Sequence, residues 1–224
     1  MKTTTPTPRT FRDLAAIALA LAALGLSQPA AQAAAITWNS AVDDTDLASD
    51  VQVNGTFVDA VTTYGNKSGS DVTLNGVTFQ HYSSSSGSTL TFGTSAISMT
   101  YPTTNLDFAS NPATTDYQKL LHHSMYADHG SGTITLGHLT PGTQYQVQVW
   151  APSWNSTISN VFDGQVTILG RNFSQSQPSQ YAVGTFTATN STQVIHFAAE
   201  ATGGYYAYAP AAVSLRALVS TIAA

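Results

Sequence analysis

Between residues 143 and 151 the chain reads TQYQVQVWA, with Tyr145, Val147, Val149 and Ala151 on one side of an extended backbone and Gln144, Gln146, Gln148 and Trp150 on the other. Successive side chains of a strand point to opposite faces, so this pattern predicts a strand with one face in a core and one in water. The same period of two recurs near 51–53, 56–64, 72–74, 77–82, 89–92, 96–101, 132–136, 164–168, 182–188, 193–198 and 212–218. Turn chemistry separates these runs. Asn75-Gly76 is a hairpin signal, Pro141-Gly142 opens the strand at 143, and Thr189-Asn190-Ser191 joins two later strands. About ten strands without a βαβ rhythm predict an all-β chain, an antiparallel two-sheet β-sandwich of jelly-roll type.

One segment breaks the period. In TDYQKLLHHSMYADH, 115–129, Tyr117, Leu120, Leu121 and Met125 fall at helical spacing, which predicts one short amphipathic helix on the edge of the sandwich. Serine-rich stretches at 83–88 and 174–179 read as loops, and nothing between the strands is long enough to divide them into two domains.

The first 33 residues follow another logic, with Lys2, Arg9 and Arg12 ahead of an apolar run from Leu14 to Leu26 and a small-residue exit at Ala31-Gln32-Ala33. That is the pattern of a signal peptide, too short in its apolar part to span a bilayer. Cleavage after Ala33 leaves 34–224 as a single exported domain, secreted or periplasmic and not inserted in a membrane.

Charge and composition then narrow the partners. The whole chain carries a net charge of −5, and loss of Lys2, Arg9, Arg12 and Asp13 with the leader leaves four basic side chains against eleven acidic ones. A sparse acidic surface with no Lys/Arg cluster repels phosphate backbones and excludes nucleic acid as a partner. There is no cysteine, so stability in an oxidising compartment has to come from one core and not from disulfides.

ITWNSA and DVQVNGTFVDAVTTYG near the start, TITLGHLTPGTQYQVQVW in the middle, and YAVGTFTATNSTQVIHF with AAVSLRAL at the end carry a family likeness. The chain resembles secreted bacterial proteins frequent in planctomycetes and verrucomicrobia, many of which end in a PEP-CTERM sorting tail. That resemblance implies a galactose-binding-domain-like jelly roll, an architecture shared by many carbohydrate-binding modules. The motifs behind it are strand and turn patterns rather than chemical signatures, and no sorting tail follows the last strand here.

Candidate chemistry is thin. His122, His123 and His129 crowd the predicted helix, but Zn²⁺ on a helix favours an i, i+4 pair and Tyr126 stands four after His122. A mixed site of His122, Asp128, His129 and His138 is the metal reading; solvated or locally bonded imidazoles are the reading preferred. Asp43, Asp44, Asp46 and Asp50 form an acidic loop that could hold a structural Ca²⁺, although Ser49 stands where an EF-hand needs glycine. No cofactor is otherwise expected.

Hydrolysis lacks placed groups, because Glu200 is the single glutamate and no G-x-S-x-G elbow occurs. Aromatic rings point instead to sugar recognition, in which an exposed ring takes the apolar face of a pyranose while polar groups fix its hydroxyls. Alternation puts Trp150 on the outer face with Trp154 in the following loop, GGYYAYAP supplies Tyr205, Tyr206 and Tyr208, and Asp163 and Arg171 flank the neighbouring strand. These seven residues are the expected ligand-binding set, and the expected function is that of a non-catalytic module for glycan or extracellular matrix. A self-associating structural protein of the cell surface and a glycan-cleaving enzyme are the alternatives.

Overall fold

The computed structural model describes residues 34–63, 71–81, 89–91, 96–102, 105–108, 113–127, 130–153, 158–171, 178–201 and 207–219. Residues Ala33–Ala224 form one compact unit, a sandwich of two sheets with a single short helix among the described residues.

The strands are β1 (Thr37–Trp38), β2 (Val42–Asp43), β3 (Thr56–Thr62), β4 (Val72–Leu74), β5 (Val77–His81), β6 (Thr89–Thr91), β7 (Ile97–Thr100) and β8 (Asn105–Phe108). Helix α1 (Asp116–Leu121) leads into β9 (His123–Ala127), β10 (Gly130–Leu136), β11 (Gln144–Trp150), β12 (Ile158–Phe162) and β13 (Val166–Gly170). Last come β14 (Gln180–Thr187), β15 (Gln193–Ala201), β16 (Ala207–Tyr208) and β17 (Ala212–Ala217). An eight-stranded sheet runs β1-β14-β11-β17-β3-β5-β4, with β2 also on β14, and faces a six-stranded sheet ordered β13-β12-β15-β10-β7-β6. A three-stranded ribbon, β16-β9-β8, completes the described strands.

The sequence dictates the interior of the sandwich directly. Tyr145, Val147 and Val149 on β11 and Val213 and Leu215 on β17 meet Ile134, Leu136, Ile195 and Phe197 of the opposite sheet in one apolar cluster. The Asn75-Gly76 hairpin forms as expected: both residues are left-handed, with φ of 48° and 73°, and they join β4 to β5 in register Leu74 to Val77. Glycine suits that φ because it has no Cβ to collide with the following carbonyl.

Several expectations are corrected. The sheets are not wholly antiparallel, since β3 and β5 pair in parallel at Val61 to Gln80 and Thr62 to His81. Residues 51–53 are not a strand but follow a 3-10 turn at Ala48–Asp50. The helix predicted over 115–129 stops at Leu121. Thr115 caps it by accepting from the Gln118 N–H at 3.1 Å, but beyond His122 the backbone pairs with β8 and β16 instead of turning again. Strands β1, β2, β8, β9, β12 and β16 were not read from the alternation; most are short, and their pairing is decided by distant partners.

Candidate functional site

The second face of β11 is not in water. Gln148 and Trp150 are buried under a second apolar cluster built by Val51, β4, β5 and helix α1, with Ala60, Tyr181 and Val183 from the sheet itself. Trp150 is 0 % exposed. Phe79 meets its ring edge-on with centroids 5.5 Å apart, and its indole N–H donates to the Tyr117 hydroxyl at 3.1 Å. The expectation that Trp150 presents a ring to solvent is therefore wrong: a strand covered on both faces keeps its alternation while losing its wet side. Burial also pushes the Tyr117 hydroxyl far above its ordinary pKa.

Of the other expected ligand residues, those that are described do not converge either. Trp154, Tyr205 and Tyr206 lie outside the described residues. Tyr208 is buried in β16, where its carbonyl accepts from the Asn160 amide at 2.7 Å, so its ring is packing and not a platform. Asp163 sits in the β12–β13 turn at φ 50°, and its carboxylate accepts from the Trp38 indole at 3.2 Å and from the His196 backbone N–H at 2.9 Å. Those bonds tie β15 to the neighbouring sheet edge and spend the carboxylate on structure. Arg171 is fixed through its backbone, whose N–H donates to Ser179 Oγ at 3.0 Å and whose carbonyl accepts from Ser153 Oγ at 2.7 Å.

The described members of the histidine cluster take separate structural places. His122 caps α1 and is buried, His123 begins β9, and His138 is exposed in a left-handed turn, while Asp128 and His129 lie outside the described residues. Among the described residues no three His, Cys, Asp or Glu side chains gather as a metal-binding group.

The acidic loop is held by protein partners. Asp43 accepts from the Gln180 amide at 2.8 Å, Asp46 from the Gln118 amide at 3.2 Å, and Asp50 from both the backbone and hydroxyl of Thr45 at 2.6 and 3.0 Å. Asp44 is 6 % exposed, and its Oδ2 has no hydrogen-bond partner. Desolvation first, then the neighbouring Asp46 and Asp50 carboxylates, push its pKa to about 8.

The candidate site lies elsewhere, on the outer face of the six-stranded sheet. Thr100 of β7 stands opposite Thr133 of β10, which stands opposite His196 of β15, so three side chains cross three strands in one row. With Pro102, Ser131 and Gly132 they line an open groove of about 270 Å³. Gly132 is required there because a Cβ would collide with the Phe197 ring and the Thr100 carbonyl, so the strands approach closely and the floor stays thin. Beneath it Tyr101 and Phe197 stack with centroids 5.6 Å apart and an interplanar angle of 26°, which stiffens the floor.

The lining offers three hydroxyls and an imidazole, which donate and accept hydrogen bonds, beside one apolar ring edge from Pro102; it contains no carboxylate. None of these residues was singled out from the sequence. Thr100, Thr133 and His196 read as ordinary outward positions of alternating strands, and only the register places them together. Comparison with family models, with curated proteins and with solved structures found no match to this chain.

Proposed function

We propose that the chain is exported by its first 33 residues and that residues 34–224 act as a non-catalytic glycan-binding module, working in the extracellular or periplasmic space on glycan or matrix. The observation that carries this is the groove between β7, β10 and β15: it is open, uncharged apart from one imidazole, and lined by hydroxyls. Its volume is just under the ~300 Å³ lower end for small-molecule sites, room for one sugar ring held at the surface of a longer chain. Sugar hydroxyls need paired donors and acceptors, which Thr100, Ser131, Thr133 and His196 supply. A lining without carboxylates favours holding over cleaving, because glycoside hydrolysis uses a pair of them. The jelly-roll type expected from the strand pattern and the likeness to secreted galactose-binding-like proteins belong to the same reading.

Retention on an array of neutral polysaccharides tests it. Thr133→Arg fills the groove from an outward position and His196→Ala removes a hydrogen-bonding group, so each is expected to weaken retention at least tenfold with an unchanged melting curve. Retention should vary little with salt, since no formal charge pair is involved. Variants that fold and bind as the parent does would remove the groove from the function. Sedimentation that shifts with concentration in the absence of glycan would move the reading to a self-associating surface protein.

A further inference from the structure

A second row of side chains crosses the outer face of the eight-stranded sheet, where the covering layer ends. Thr185 of β14 stands opposite Gln146 of β11, Gln146 opposite Arg216 of β17, and Arg216 opposite Phe57 of β3. One row deeper, Gln148 is roofed by the chain itself: its amide donates to the Asp50 carbonyl at 2.7 Å and accepts from the Gln52 N–H at 2.9 Å. The Thr185–Phe57 row is thus a ledge along the foot of that roof. Four strands at ~4.8 Å spacing make it about 15 Å long, the length of a short oligosaccharide.

Its chemistry differs from that of the groove. Arg216 is only 8 % exposed, its Nε donates to the Asn54 carbonyl and its Nη2 to the Gly55 carbonyl, both at 2.9 Å. The ion pairs among the described residues are His81 with Asp71 and Lys119 with Asp116, so no carboxylate of the described protein neutralises this guanidinium. Two main-chain carbonyls lock its plane and leave Nη1 without an acceptor among the described residues. Beside it the Gln146 Oε1 is buried with no hydrogen-bond partner. Phe57 is a large aromatic residue at the surface, 42 % exposed, and the guanidinium carbon lies 5.8 Å from its ring centre. Burial lowers the guanidinium pKa from its usual value.

We infer that this ledge is a binding site for an acidic glycan, with the sugar carboxylate on Arg216 and the apolar face of a pyranose on Phe57. A uronate carries charge and apolar face on one ring, which matches a guanidinium directly beside an aromatic ring. A guanidinium held in a fixed plane loses little freedom on accepting a carboxylate. Gln146 and Thr185 supply hydrogen bonds to the hydroxyls of the next sugar. The inference is independent of the groove, because the two rows lie on different sheets.

The test compares polygalacturonate with its fully methyl-esterified form, which keeps the sugars and removes the charge. The parent chain should bind the acid at least tenfold more tightly than the ester, and raising salt from ~0.05 to ~0.5 M should weaken the acid alone. Gln146→Glu places a carboxylate against Arg216 from within; it should leave the melting temperature equal or higher and abolish binding of the acid. Phe57→Ala, on an exposed ring, should weaken binding of both forms without unfolding the chain. Thr133→Arg in the groove should leave polygalacturonate binding unchanged. The inference is overturned if acid and ester bind equally, if neither binds, or if Gln146→Glu and Phe57→Ala fold and bind as the parent does. Binding of an anionic protein to the parent chain, lost in Gln146→Glu, with no binding of polygalacturonate would overturn the inference in favour of a protein partner.

Discussion

Asp44 shows how one buried carboxyl sets a pH response. Its folded pKa of about 8 lies above the ordinary 3.8, so between those values the folded chain keeps a proton that the unfolded chain has released. Stability from this group is complete below pH 4, falls as pH rises through that window, and is lost above pH 8. Asp46 and Asp50 face it from the same loop and Tyr117 and Tyr181 from the elements packed on that loop, none of which supplies a positive charge. Asp44→Asn should therefore raise stability by several kcal/mol at pH 8 and change little at pH 4, as urea titrations at the two pH values will show. An equal effect at both would mean that the carboxyl ionises normally in the fold. Neither the burial nor the shift is legible in DDTDLASD. The sequence shows four acids in a polar run, and only the contacts of Tyr117 and Ser179 take one of them out of water.

Elements whose determinants are local were readable, and those settled by distant partners were not. The β4–β5 hairpin rests on two adjacent residues, and Gly76→Ala tests that: at φ 73° with no heavy atom within 4 Å of a new Cβ, the cost should be conformational only, about 1 kcal/mol by urea unfolding. Gly132→Ala should cost several times as much, since there the obstacle is a ring and a carbonyl. Equal costs would mean that β7 and β10 yield easily at the groove floor. By contrast, LLHHSMYADHG carries helix spacing, yet β9 forms because β8 and β16 offer it hydrogen bonds on both sides. β11 misled for the same reason. Its alternation is regular, but alternation reports which residues share a face and not what covers that face; the roof over Gln148 and Trp150 comes from residues 50–52, β4, β5 and α1, up to a hundred positions away.

At the scale of the molecule, the two-sheet sandwich followed from strand count and turn chemistry, while the rows that cross it depend on register and stayed hidden. Residues Ala33–Ala224 form a compact unit by themselves, so deleting 1–33 should leave the melting temperature within about 2 °C of the full chain, and a larger drop would show that the leader belongs to the fold. The order of strands has one more consequence. β17 sits between β11 and β3, holding antiparallel ladders on both sides, although it is the last strand of the sheet to be synthesised. A nascent chain that has reached residue 211 has a slot through the middle of its larger sheet. It cannot close around its core before Ala212–Ala217 leave the ribosome, so every other described strand of that sheet waits, already made, for the one that fills its centre.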